Sequence, residues 1–120
     1  MMYSPLKEKS FRLAVRVVRL YQYLVETKKE AVQSRQLLRC GTNPGAMIRE
    51  ANNAESGHDL IHQLSIAQKE LGETQYWLEL LYSTGYLTQQ AFDSMISDTE
   101  DIMKILRSSI KSKRSKLNHK

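Results

Sequence analysis

The sequence predicts an all-α protein, an up-down-up-down four-helix bundle. Four stretches carry apolar residues at helical spacing and are joined by short links. No stretch alternates with a strand period. With five Gly, two Pro and two Phe in 120 residues, the chain has too few turn-formers for a sandwich or barrel. This length allows one domain. It is expected over residues 1–110, with 111–120 as a basic tail, frayed or disordered.

Ser4 and Pro5 read as a helix entry, an N-cap followed by Pro at the first helical position. The first helix then runs from about Leu6 to Lys28 without Gly or Pro. Phe11, Ala14, Val15, Val18, Tyr21 and Val25 fall on one stripe, and Leu13, Val17, Leu20 and Leu24 on a second beside it. Together they cover roughly 220° of the wheel, against roughly 100° for an ordinary surface helix. The helix therefore faces its own core on one side and something else on the other. Leu13, Val17, Leu20 and Leu24, with Trp77, are the expected oligomer interface. A narrow strip of Arg12, Arg16, Arg19 and Tyr23 stays polar.

The second helical segment spans residues 30–55 and contains Asn43 and Pro44. Local propensity reads a helix end and a new start there; one long helix kinked at Pro44 is an equally physical alternative. The third helix, residues 58–83, has the clearest pattern. Leu60, Leu64, Ala67, Leu71, Thr74, Leu78 and Leu81 follow a 4-3-4-3 spacing over roughly 39 Å. Gly85 is its C-cap candidate and Thr88 caps the fourth helix. The fourth core stripe is Phe92, Met95, Ile96, Thr99, Ile102, Met103, Leu106 and Ile110.

The formal charge of +5 is unevenly spread. Residues 6–29 hold seven basic and two acidic residues, and 106–120 hold six basic and no acidic ones. Between them, 58–84 and 85–105 each hold one base against four acids. Two basic ends thus flank an acidic middle, and the acids read as solvated helix faces. One Cys excludes a disulfide framework or a multi-Cys zinc site within the chain. No apolar run reaches membrane-span length, and Lys7, Glu8, Lys9 and Arg12 break any signal-peptide pattern. The expected setting is soluble, reducing and cytoplasmic, with no membrane partner.

The stretch Leu38-Arg39-Cys40-Gly41-Thr42-Asn43-Pro44-Gly45-Ala46-Met47-Ile48-Arg49-Glu50-Ala51 resembles the second-helix motif of the four-helix-bundle proteins encoded in 23S rRNA intervening sequences. Ala67-Gln68-Lys69-Glu70-Leu71-Gly72-Glu73-Thr74-Gln75-Tyr76-Trp77-Leu78-Glu79-Leu80-Leu81 is similar to the family's third-helix signature. The resemblance covers nearly the whole chain. It implies an antiparallel, left-handed four-helix bundle assembled as a homopentamer, with a continuous second helix. The chain departs from the family pattern at Pro44, where a helix-compatible residue is usual. The wider group resembles the accessory protein of diversity-generating retroelements, a basic bundle that assists a reverse transcriptase.

The sequence offers no convincing catalytic or metal constellation. Glu55 and His58, and His58 and His62, have metal-ligand spacings. A di-metal bundle needs a second Glu-x-x-His unit, and His119 is the only other histidine. Gly57 also stands between Glu55 and His58, so solvated histidines are the better reading. Cys40 reads as a packed thiol. Glu50, Glu70 and Glu73 read as structural polar groups, pairing in ways that fix helix register, with the arginines of the first helix as candidate partners. Trp77 reads as a core or interface anchor. No cofactor and no small-molecule substrate are expected, and the protein is not expected to be an enzyme.

The best functional candidates are cations. Arg12, Arg16 and Arg19 at 4-3 spacing place three guanidinium groups on one line, with Tyr23 beyond them, able to meet successive phosphates. Lys111, Lys113, Arg114 and Lys116 form a second basic segment. The competing reading pairs the arginines with the acidic helices. The expected function is a non-enzymatic homo-oligomer that contacts RNA or DNA through phosphates. The alternative is a protein–protein scaffold with no nucleic-acid ligand.

Overall fold

A computed structural model describes residues 4–118. It contains α1 (Ser4–Glu26), α2 (Val32–Glu50), a 3-10 turn (Ala51–Asn53), α3 (Gly57–Ser83) and α4 (Gln89–Asn118). There is no strand among the described residues. The capping role expected of Ser4 rests on a side chain outside the described residues. Each helix packs on its sequence neighbour, and α4 returns to α1 through a slighter contact. Neither diagonal pair brings Cα atoms within 8 Å among the described residues. The result is a rod of 53 × 22 × 21 Å.

The helix ends explain where the chain turns. The α1–α2 link passes through Lys29 at φ 58°, a left-handed conformation uncommon for a residue with a Cβ. Next to it, the buried Glu30 carboxylate accepts from the backbone N–H groups of Val32 (3.0 Å), Gln33 (2.9 Å) and Ser34 (2.8 Å). These are donors that a helix start leaves unpaired. Burial by itself would raise this carboxyl; the hydrogen bonds from Gln33, Ser34 and Val32 outweigh it and hold the group below its ordinary value. At α3, Ser56 accepts from the Asp59 N–H at 3.0 Å, while Asp59 accepts from the Glu55 N–H at 3.0 Å. The pattern resembles a capping box, except that the carboxylate takes the N–H one residue before the cap, Ser56. At the other end, the Gly85 N–H bonds the Tyr82 carbonyl and the Tyr86 N–H the Leu81 carbonyl, with Gly85 at φ 87°. That is a Schellman stop on the expected glycine. Thr88 caps α4 by accepting from the Ala91 N–H at 3.1 Å.

The third helix buries Leu64, Ala67, Leu71, Thr74, Leu78 and Leu81 as its spacing predicts, and Ile61 is buried where Leu60 is only half-buried. Two expectations need correction, and one open alternative is decided. Of the two stripes on α1, it is the one expected to meet a partner that fills the core. Leu13, Val17 and Leu24 are at most 1% exposed, so these three are not free to form an interface, while Leu20 is half-buried against the same cluster. The other stripe is the outward one, with Phe11 53% and Val18 37% exposed. Next, of the two readings left open at Pro44, the structure has the continuous one: α2 runs unbroken through a buried Pro44. It lies between α1 and α3, and its packing on both outweighs the roughly 3 kcal/mol that an interior proline costs. Last, residues 111–118 of the expected tail are helical, because α4 continues to Asn118; His119 and Lys120 lie outside the described residues. Leu117 packs against the core, and its Cδ2 lies 2.8 Å from where a Cβ on Gly57 would stand.

Gly41 and Gly45 let α1 and α2 approach closely. A Cβ at Gly41 would lie 2.7 Å from Val17 Cγ2, and one at Gly45 would lie 3.3 Å from the Ser10 carbonyl oxygen.

Candidate nucleic-acid interface

The arginine line of α1 lies on the flank that faces α4, and α4 meets it with carboxylates. Arg16 donates to Asp98 and, at 2.9 Å, to Ser94 Oγ. Arg12 is exposed and shares a hollow with Lys9, Asp98 and Asp101. Arg19 and Tyr23 are exposed. Neither Arg12 nor Arg19 has an ion pair among the described residues. One of the three guanidinium groups is thus occupied within the chain and one is partly compensated.

The second basic segment is differently placed. Because α4 is helical to Asn118, its cations stand at fixed register. Arg107, Lys111 and Arg114 border a groove of about 440 Å³ between α3 and α4, with Gln68, Ile110, Ser115 and Asn118. Lys113 is half-buried and Lys116 exposed, and neither lines the groove. The preceding half of α4 carries Asp93, Asp98, Glu100 and Asp101. Of these charges only Lys116 stands in a terminal turn, where a cation at the C-terminal end suits the helix dipole. The reading of the sequence missed Arg107 and Gln68. The signal was available: Lys104, Arg107, Lys111 and Arg114 follow a 3-4-3 spacing along α4.

Glu70 and Glu73 are held by a residue that was not anticipated. Arg39 of α2 donates to both across the α2–α3 contact, each at 3.3 Å. The arginines of α1 take no part in this. Glu50 is exposed and borders a groove between α1 and α2, where the Arg49 guanidinium lies 5.5 Å over the Phe11 ring. Trp77 is half-buried against the core, with its ring edge-on to Tyr76 at 5.1 Å.

Cys40 is buried, and burial pushes its thiol up, away from the nucleophilic thiolate. Glu55 precedes α3, so it does not share a helix face with His58, and both His58 and His62 are exposed. Among the described residues no group of three or more His, Cys, Asp or Glu is placed to hold a metal ion. No described helix is long and apolar enough to cross a membrane.

Fold and site together define an all-α protein of four helices with a basic flank on its last helix. The chain belongs to the 23S rRNA-intervening sequence protein family, whose model matches residues 5–108. It is similar to a crystal structure of a protein of unknown function from the S23 ribosomal protein family of Bacteroides thetaiotaomicron VPI-5482. Identity is 51% and the TM-score 0.87, over 88% of this chain and 95% of the other. Comparison with curated proteins finds no match.

Proposed function

We propose that the protein is a non-enzymatic, homo-oligomeric binding protein that contacts RNA or DNA through backbone phosphates. The observation that carries this reading is α4 itself. From Arg107 to Asn118 it has no acidic residue, and it presents its cations at helical register. Phosphate neutralisation with counterion release is the mechanism, so binding is salt-sensitive and largely indifferent to sequence. A titration of the protein with RNA and with DNA at low and moderate salt tests it. Saturable binding that weakens steeply with salt is expected; absence of binding at low salt overturns it.

The antiparallel, up-down-up-down course belongs to the same proposal. It is supported by side chains that meet in opposite order along α3 and α4. Gly57 lies by Leu117, Gln75 bonds Thr99, and Tyr82 stacks on Phe92. A left-handed homopentamer is the assembly that the family resemblance implies. What supports assembly is that the chain exposes apolar surface on two different helices. Phe11 and Val18 stand on α1, and Tyr76, beside Trp77, on α3. Two unlike patches suit a head-to-tail contact, which closes into a ring when the rotation allows. A cytoplasmic setting completes the proposal, in keeping with the free Cys40 thiol. The same apolar patches favour the second reading, a scaffold without nucleic acid. Light scattering separates monomer from ring, and the titration separates the two functions.

A further inference from the structure

Three features of the groove between α3 and α4 bear on what it holds. Its cations Arg107, Lys111 and Arg114 come from one helix, and the opposite wall offers Gln68, a neutral amide from α3. No carboxylate lines it, in contrast to the α1–α4 hollow, where Asp98 and Asp101 sit among the cations. Glu100 shares the adjoining hollow with Lys104 and Arg107 and so marks one end of the basic run. Arg107, Lys111 and Arg114 have no ion pair among the described residues.

The dimensions select a ligand. Arg107 and Arg114 are two helical turns apart, roughly 10 Å along the axis. The roughly 3.4 Å axial rise per nucleotide is a lower limit on the through-space separation of successive phosphates in one strand, so the run faces two or three in succession. The two guanidinium forks match phosphate oxygens bidentately, and Lys111 between them acts as a point charge. Packed helices have axes roughly 8–10 Å apart, so the furrow between them admits one backbone and not a duplex. No aromatic side chain lines the groove, which removes the usual platform for base stacking.

We propose that the α3–α4 groove is a track for one nucleic-acid strand, held by its phosphates on Arg107, Lys111 and Arg114, with Gln68 as a neutral donor from the opposite wall. The track rests on the phosphate-binding reading above and gives that reading a place and a strandedness. It assigns the leading role to α4 and leaves Arg12 and Arg19 of α1 outside the contact.

The test is fluorescence anisotropy with labelled twelve-nucleotide single strands of RNA and DNA, and a duplex of the same length, at 50 and 200 mM salt. The proteins are the full chain, Arg107→Gln/Arg114→Gln and Arg12→Gln/Arg19→Gln, with circular dichroism to verify that each stays folded. The groove pair is expected to lose single-strand affinity at least tenfold. Its log–log salt slope should be shallower by about 1.4, at roughly 0.7 per lost phosphate contact. The α1 pair should stay within about twofold of the full chain, a change of only about 0.4 kcal/mol. An Arg107→Lys/Arg114→Lys variant should recover the salt slope but not the whole affinity, since it restores charge without the fork. Undiminished binding by Arg107→Gln/Arg114→Gln overturns the track while leaving phosphate binding in place. Equal affinity for the duplex overturns the single-strand assignment. No binding by the full chain to any probe at 50 mM salt overturns the track and the reading it rests on together.

Discussion

Arg16 of α1 donates to Asp98 of α4, and the bond takes the central member out of a line of three arginines. It ties two helices whose mutual contact is the slightest in the circuit. Both side chains remain more than a third exposed, so the tie adds little stability. The pair sets how much charge α1 has to spare. Asp98→Asn should release Arg16 on the α1 side of α4, outside the α3–α4 track, and so leave single-strand affinity within about twofold and its salt slope unaltered. The melting free energy should fall by less than about 1 kcal/mol. Anisotropy and thermal melts on the same variant check both. Tighter binding with a steeper salt slope would bring α1 into the contact and contradict the track.

Glu30 gives the fold an acid-sensitive joint. Its carboxyl is held below the ordinary range in the folded chain, so the unfolded chain binds the proton more tightly. The resulting stability is fully present above the unfolded-state value and is lost as pH falls through the lower folded-state value. Glu30→Ala should cost about 1–2 kcal/mol at neutral pH, as loss of a helix cap does. It should also flatten the acid limb of the stability curve. Urea melts at neutral and acidic pH measure this, and a parallel acid limb in the variant would contradict it.

Two glycine substitutions should act in opposite directions. Gly41→Ala drives a methyl into Val17 and should destabilise by about 1–3 kcal/mol, as overpacking does. Gly72→Ala meets nothing within 4 Å on an exposed helix position and should stabilise by about 0.5–1 kcal/mol. Chemical denaturation of both variants is the check, and a stable Gly41→Ala protein would mean that α1 and α2 can part without cost.

The two stripes of α1 should separate folding from assembly. Val17→Ala empties a buried site and should cost about 1–3 kcal/mol of stability in the subunit itself. Phe11→Glu/Val18→Glu alters exposed positions and should leave helicity intact while light scattering reports a smaller particle. An unaltered particle would move the contact between subunits to another face.

The elements that depend on local chemistry were legible before any coordinates. The leucine spacing of α3, the glycine stop at Gly85 and the threonine start at Thr88 each act within a few residues. The family was legible from the motifs around Gly41 and Trp77. What was not legible depended on distant neighbours. Both stripes of α1 are apolar, so a wheel does not say which one meets α2 and α3; Val17 against Gly41 decides it. Pro44 signals a break on its own terms, and only burial between two helices overrides it. Arg39 lies 31 and 34 residues from the carboxylates it holds. Residues 111–118 hold a single apolar side chain, Leu117, and its seat against Gly57 is what a sequence pattern does not show.

That leucine has a thermodynamic consequence. A polybasic arm that is loose when free must be immobilised on its ligand, at about 1–2 kcal/mol of backbone entropy for each residue fixed. With Leu117 docked, that cost is met during folding, and the lysines and arginines of α4 await a ligand already in place. Affinity gained in this way should appear as slow dissociation rather than fast capture, since there is no long arm to sweep the solution. The last turn of the helix thus trades reach for grip.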